Sequence, residues 1–313
     1  MKVMVTGAAG FVGSSLSEAL IAAGHEVVGV DCFIPYYDRA VKESNLAALR
    51  LNPSFAFHEV DLRTADLGAS LDGVEAVVHL AAMPGLAKSW TDVELYSSCN
   101  IVATARLIDA CRGRSLHRFV HISTSSVYGS EANGDETMPI RPASPYGITK
   151  LAAEHLVLAH AEQYGLPGVI LRYFSIYGPR QRPDMGYNLF CEALLDGRPI
   201  TIFGDGSATR SNTYIDDCVR GTMLGLQLGH VGEAYNIGGG EVIGLLDAIE
   251  VIAEAAGVKP HLIFGDKRPG DQKSTQADCS KAAEHLGYHA TVGPHEGLVR
   301  QFAWHQNRRD LGK

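Results

Sequence analysis

A chain of 313 residues with 46% hydrophobic and 20% charged content has the composition of a globular protein and the length of one large domain with a smaller partner. Its net charge of −8 argues against nucleic-acid binding by the surface as a whole. No apolar run reaches the roughly 20 residues that a membrane span requires. The cysteines, Cys32, Cys99, Cys111, Cys191, Cys218 and Cys279, are scattered without Cys-x-x-Cys pairing, which suits free thiols in a reducing cytoplasm. Met1–Val5 reads as too short for a signal peptide, and no cluster with metal-ligand spacing stands out.

Lys2–Thr6 reads as a first strand, apolar without alternation. Gly7-Ala-Ala-Gly10-Phe11-Val12-Gly13 follows and opens a helix near Gly13–Ala23. Glycines between a strand and a helix permit a tight turn and a close approach of backbone to a pyrophosphate, which the helix N-terminus then faces. Glu26–Val30 is the second strand. Asp31 ends it, 18 residues after Gly13, where a carboxylate accepts both hydroxyls of an adenosine ribose and repels a 2′-phosphate, favouring NAD over NADP. Cys32 stands beside it. A helix near Ser44–Leu51 and a strand Ala56–Val60 come next, with Asp61-Leu62 placed to flank the adenine. The strand Ala76–Leu80 runs into His79-Leu80-Ala81-Ala82, whose small residues let a cofactor lie against the backbone. A helix over Leu95–Cys111, a strand Arg118–Ser123, a helix Tyr146–Tyr164 and a strand Gly168–Tyr173 complete the alternation. His117 and His121, flanking an apolar strand pattern, are read as structural.

Apolar strands alternating with helices predict an α/β fold with a doubly wound parallel (Rossmann) sheet. Beyond residue 174 the pattern changes. Pro, Gly and Arg concentrate in Gly178–Gly186, and helices are expected at Leu189–Asp196, Leu245–Ala256, Ser280–His285 and His295–His305. These form a smaller mixed α/β C-terminal substrate domain. The division is 1–174, rejoined by about 211–237, for the dinucleotide, and 175–313 for most of the substrate domain, with ligands in the cleft between them.

Tyr146 and Lys150 lie four apart and share a helix face. An ammonium beside a phenol favours the phenolate and lowers the phenol pKa. Such a phenol next to a nicotinamide can move hydrogen on and off an alcohol carbon. The hydroxyl-rich run Ser123-Thr124-Ser125-Ser126 precedes the pair.

Gly7–Gly13, Asp31, Asp61-Leu62, His79–Ala82, Asn100, the Ser/Thr run before Val127-Tyr128-Gly129, Tyr146–Lys150 and Arg172-Tyr-Phe-Ser-Ile-Tyr-Gly-Pro179 together resemble the extended short-chain dehydrogenase/reductase family over nearly the whole chain. Within it the chain is similar to nucleotide-sugar 4-epimerases, most of all those acting on UDP-glucuronate. The resemblance implies that Tyr146 is the catalytic acid and base, that Lys150 lowers its pKa and holds the nicotinamide ribose, and that Thr124 hydrogen-bonds the sugar 4-hydroxyl. C4 passes its hydride to NAD, the 4-keto sugar turns over, and hydride and proton return on the opposite face. Asn100 and Tyr173 complete the expected cofactor set. In 4,6-dehydratases the two positions after the Thr are Asp and Glu, and in UDP-glucuronate decarboxylases a Glu precedes Val-Tyr-Gly. Ser125 and Ser126 are uncharged, so they can bind a carboxylate without repelling it.

The resemblance further implies substrate contacts. Gly178–Met185 carries the Arg-Pro-Asp-Met signature of hexuronate epimerases, so Arg182 is expected to position the uronate, directly or by ordering its loop. Ser175, where many relatives carry Asn, leaves room for a C6 carboxylate. Arg210 and Arg268 match diphosphate contacts, with Asp271 on the uridine ribose. Gly85 and Lys88 approach the sugar or phosphates, Asn188 touches the diphosphate or sugar, and Thr201 and Phe203 flank the uracil. A homodimer through Leu95–Cys111 and Tyr146–Tyr164 is implied as well. The nearest alternative is a UDP-glucose 4-epimerase. A catalytically silent NAD-sensing or scaffold protein is expected to lack one of the Tyr, Lys and hydroxyl groups that this chain keeps.

Overall fold

The computed structural model describes residues 1–266, 272 and 274–311. Its centre is a seven-stranded parallel sheet. The first five strands in the chain are β1 (Lys2–Thr6), β2 (Glu26–Asp31), β3 (Phe55–Glu59), β4 (Ala76–His79) and β5 (Arg118–Thr124). Across the sheet the order is β3-β2-β1-β4-β5, then Gly168–Tyr173, then Ala234–Ile237 at the edge. The strands lack alternation because both faces are buried. On β1, Val3 and Val5 face one core with Leu16 and Leu20 of the helix α1 (Phe11–Ala22), while Met4 faces another with Leu107 and Ile108. The strand order reverses between β1 and β4, so a crevice opens where Thr6 and His79 end. This is where doubly wound sheets hold ligands.

The expected strands fall within a residue of the observed ones, and the helices differ more. Ser44–Leu51 was expected to be one helix. Instead the chain forms Arg39–Leu46, capped by Asp38, whose Oδ1 accepts from the Ala40 amide at 2.8 Å, and a 3₁₀ turn at Leu49–Leu51. Leu95–Cys111 is a longer run of three pieces: Val93–Ser97, a π-helical Ser98–Val102, and Ala103–Cys111. The π segment carries Asn100, whose side chain is drawn to Met83 and Thr149. Such bulges gather at functional sites.

The helix Ile215–Leu228 was not expected. Gly221 and Gly225 interrupt its apolar pattern, yet an added Cβ at either would come within 3.0 Å of side chains beneath it, Ile237 and Tyr288 or Leu171. Small residues there let the helix lie close to the sheet. Three small sheets complete the C-terminal part. One of four strands runs Ile243–Gly244, Thr209–Arg210, Ser274–Ala277, Glu131–Gly134; two pairs join Thr213–Tyr214 with Ile176–Tyr177 and Leu262–Gly265 with Ile200–Phe203.

Candidate active site

One cavity of about 400 Å³ follows the C-terminal ends of the parallel strands. Its floor at one end is the turn after β1. Gly7 sits at φ +73°, and a Cβ on Gly13 would stand 2.1 Å from the Gly7 carbonyl. No side chain caps α1, so its first-turn amides point toward the space that bare backbone leaves for an anion. Asp31 lies beyond it. Its Oδ1 accepts from the Phe33 amide at 2.8 Å and from Lys42 Nζ at 3.1 Å, and both charged side chains are nearly buried. Lys42 lines the cavity and was not found from sequence; it stands eleven residues past Asp31, on the Arg39–Leu46 helix, in no recognisable motif. Asp61 pairs with Arg63, NH2 to Oδ2 at 2.7 Å, on the same wall. Phe11, Val12, Cys32, Leu62, Leu80, Ala81, Ala82 and Tyr173 line it too. A backbone cradle without side chains, followed by a buried carboxylate, fits a dinucleotide with a free ribose diol.

The other end holds Thr124, Ser125, Ser126, Tyr146, Lys150, Ser175, Arg182 and Gly85. Tyr146 and Lys150 come from the helix Pro145–Tyr164. Ser144 caps it, accepting from the Gly147 amide at 3.1 Å, and Pro145 occupies its first turn. A Cβ on Gly147 would stand 2.7 Å from the Ser126 carbonyl. The absence of a side chain there lets the helix start against the Thr124–Ser126 turn and brings the phenol to the threonine. Thr124 Oγ1 accepts from the Ser126 amide at 3.2 Å and donates to the Ser126 hydroxyl at 3.2 Å.

The electrostatics differ from the expectation. Burial pushes the Tyr146 phenol up, and the groups acting against it are the Thr124 hydroxyl and the Arg182 charge, not Lys150. Lys150 points down instead. Its Nζ lies 3.4 Å from His121 Nε2, and burial lowers its pKa to about 8 against the raising influence of Glu154. Buried charge disfavours itself more strongly than a neighbour's charge can repair. Reading His121 as merely structural therefore missed its contact with the reaction centre. Glu154, one helical turn further along, is bound by Arg172 through Nε and NH2 and by the Ser123 hydroxyl.

Arg182 forms a two-point pair with Asp184, Nε to Oδ1 at 2.9 Å and NH2 to Oδ2 at 3.0 Å, and Tyr36 donates to Asp184 Oδ2 at 3.1 Å. Burial pushes the Asp184 carboxyl up, but Arg182 and Tyr36 outweigh it and hold it below its usual range. Gln272, also missed, lines the cavity beside Ser125: its Nε2 donates to the Gly129 carbonyl at 2.8 Å, while Arg210 holds its own carbonyl.

Six expected residues do not reach the cavity wall. Asn100, expected at the cofactor, is buried with Oδ1 accepting from the Met83 amide at 2.6 Å and Nδ2 donating to Thr149 at 2.9 Å, so it ties the loop after β4 to the catalytic helix. The Asn188 amide donates to the Gln181 carbonyl at 2.7 Å. Lys88 Nζ sits 5.5 Å from the Tyr36 ring centre. Thr201 and Phe203 lie on the Ile200–Phe203 strand, and Arg210 sits at the strand Thr209–Arg210. Arg268 and Asp271 lie outside the described residues.

A cradle for a dinucleotide at one end and a Thr–Tyr–Lys group at the other define a dinucleotide-dependent enzyme working at an alcohol carbon. The chain belongs to the NAD dependent epimerase/dehydratase family, which it matches over residues 3–238. It is similar to the crystal structure of UDP-glucuronic acid 4-epimerase from Bacillus cereus in complex with UDP-glucuronic acid and NAD, at 43% identity and a TM-score of 0.96, covering 98% of this chain and 100% of that one. It is 43% identical over 97% of its length to an uncharacterized UDP-glucose epimerase of Bacillus subtilis (strain 168), covering 98% of that protein. It is 35% identical over 99% of its length to a UDP-glucuronate 4-epimerase of Thermodesulfobacterium geofontis (strain OPF15), covering 98% of that protein.

Proposed function

We propose that this protein inverts C4 of UDP-glucuronate to give UDP-galacturonate, with tightly bound NAD. The observation that carries the reading is the joining of Thr124, Tyr146 and Lys150 in one cavity whose remaining floor, Ser125 and Ser126, holds no acid. Gly7–Gly13, Asp31 and Lys42 hold the dinucleotide, which supplies a hydride acceptor that gives the hydride back within the cycle. Thr124 orients the sugar 4-hydroxyl. Tyr146 takes its proton and returns it after the 4-keto sugar has turned. Arg182 sets positive charge beside the phenol, so the phenolate formed in each cycle meets a cation and the Thr124 hydroxyl, while Lys150, held from below, takes the nicotinamide ribose.

A β-keto acid loses CO2 readily, and a dehydratase needs an acid and a base beside C5 and C6. Neutral hydroxyls from Ser125, Ser126 and Ser175 hold the carboxylate and supply neither. Residues 1–174, rejoined by 211–237, carry the cofactor, and the rest of 175–313 the UDP group, with Arg268 and Asp271 at the diphosphate and uridine and Arg210 acting through Gln272, whose carbonyl it holds. The protein works in the cytoplasm as a homodimer. Two features support this: its described cysteines are free thiols, and Val102, Ile148 and Tyr164 leave apolar surface exposed on the two helices that would pair. No helix among the described residues is long and apolar enough to cross a membrane. The second reading, interconversion of UDP-glucose and UDP-galactose, is favoured by the name of the Bacillus subtilis relative. Incubating the purified protein with UDP-glucuronate and with UDP-glucose separately, and resolving the 4-epimers by NMR, decides. UDP-galacturonate as the dominant product supports the first reading; no epimer from either sugar overturns both.

A further inference from the structure

Lys150 is 3% exposed and forms no ion pair among the described residues. Glu154 lies one helical turn away with its oxygens taken by Arg172 and Ser123. The group that meets the ammonium is a fully buried imidazole, His121 on β5, with Nε2 3.4 Å from Nζ. A second buried imidazole, His79 on β4, stands 5.3 Å from it, ring centre to ring centre. We propose that His121 is a positioning residue for the reaction: its neutral ring accepts a hydrogen bond from the Lys150 ammonium at Nε2 and fixes where that charge sits beneath the cavity. The proposal rests on the role given to Lys150 above.

The hydrogen-bond network fixes the proton positions. Burial, and then the Lys150 charge, lower the His79 pKa to about 3, so its ring carries a single proton, and its Nδ1 lies 2.7 Å from the Thr6 hydroxyl, which accepts from the Ala81 amide at 3.1 Å. The Thr104 hydroxyl donates to the Asn100 carbonyl, so at 2.9 Å it accepts from His79 Nε2–H. His79 is therefore neutral and fully engaged, with nothing to offer Lys150. His121 is neutral too, because a proton on it would put a second positive charge against the ammonium in the same buried space. Burial, then the Lys150 charge, then His79 push it well below its ordinary value.

With Nε2 accepting, the ring proton of His121 lies on Nδ1, a buried nitrogen without a hydrogen-bond partner. An unpaired buried N–H is a penalty that Leu or Phe at this strand position would avoid. It is tolerated here because the other face of the ring holds the lysine. The titratable groups coupled to Nζ are His121 and His79 from the sheet and Glu154 on its own helix. Arg172, on the next strand, is already paired with Glu154.

Removing the acceptor leaves the ammonium less stable, so Lys150 loses its proton at lower pH. The test compares wild-type, His121→Leu and His121→Gln holoenzymes in the epimer assay from pH 6 to 10. In His121→Leu the alkaline limb of the kcat profile should move down by about one pH unit. In His121→Gln, whose side-chain oxygen can take the place of Nε2, it should stay near the wild-type position. An alkaline limb that does not move in His121→Leu overturns the proposal, even if activity and melting temperature fall together. Where His121→Leu does not fold, nitrogen-15 NMR of histidine-labelled wild-type protein reads the tautomer directly. Nε2 without a proton supports the proposal and a protonated Nε2 overturns it. This measurement needs no turnover, so a wild-type protein inert toward UDP-sugars would sink the proposed function while still testing the Lys150–His121 contact.

Discussion

Replacing Lys150 by methionine should make the folded protein more stable and inactive. Burial lowers the lysine pKa from its ordinary 10.5 to about 8. At about 1.36 kcal/mol per pH unit, keeping this side chain charged in the fold costs about 3 kcal/mol at neutral pH. Methionine fills similar space with no charge, though His121 loses its donor, which takes back about 1 kcal/mol. The net gain of about 2 kcal/mol corresponds to about 3 °C, given an unfolding entropy of about 2.1 cal/mol/K per residue over a chain of this length. The pH dependence has a definite sign. The folded pKa is depressed, so the penalty is fully present below about pH 8. It fades between there and the unfolded value, because the folded protein can shed a proton that the unfolded chain keeps. Lys150→Met should therefore lead the wild type at pH 7 and lose that lead by pH 10. The assay is thermal unfolding followed by circular dichroism on nucleotide-stripped proteins, since bound ligand adds stability of its own. A variant that melts no higher than wild type at pH 7, or whose lead does not shrink with rising pH, refutes the reasoning.

Ser126→Glu places a carboxylate where the uronate is expected. Like charges about 4 Å apart near a protein surface repel by about 4 kcal/mol, so kcat/KM for UDP-glucuronate should fall at least 100-fold while UDP-glucose suffers far less. Equal losses on both sugars would remove Ser126 from the carboxylate site. Gly147→Ala sets a Cβ 2.7 Å from the Ser126 carbonyl and pushes the phenol from Thr124. A shift of about 1 Å at a reacting group lowers kcat by about 100-fold, and near-normal turnover would show that this contact does not set the geometry. Glu154→Gln leaves the Arg172 guanidinium buried without its counter-charge, at about 3–5 kcal/mol. The double variant Glu154→Leu/Arg172→Met should recover much of that in chemical denaturation, and a single variant as stable as wild type would contradict the pairing.

What the sequence made legible is local. The glycine turn, Asp31, the Ser/Thr run and the Tyr146–Lys150 spacing each lie within a few residues of a strand end, and the parallel sheet follows from uninterrupted apolar strands. What it hid is held by contacts distant in the chain. Thr209–Arg210 pairs with Ser274–Thr275 of the Ser274–Ala277 strand, but strands of two and four residues have little or no period to read. Gln272 reaches Gly129 across 143 positions, and nothing near it in sequence announces the contact. Lys42 gave no signal because helix-face lysines are ordinarily solvated, and only the fold turns this one toward Asp31. Glu154 was hidden for the same reason, and the motif at His79 and the apolar strand around His121 did not announce what their rings touch: each is a common residue in an unremarkable element until the sheet and helix close on one another.

That closure changes the meaning of the spacing itself. Tyr146, Lys150 and Glu154 recur at intervals of four and form one stripe on the catalytic helix. The cavity end of the stripe is chemical and the far end is an anchor, where Arg172 and Ser123 hold the Glu154 carboxylate. Lys150 sits between them and faces the sheet. The simple picture of a lysine turned on its tyrosine neighbour puts the charge in the wrong place. In the fold, the lysine is clamped by a neutral imidazole below, drawn upward in pKa by the anchored carboxylate, and left with its remaining donors toward the cavity floor. On the proposed function, a lysine fixed in this way serves a cofactor ribose and leaves the phenolate that forms and vanishes in each cycle to Arg182 and Thr124.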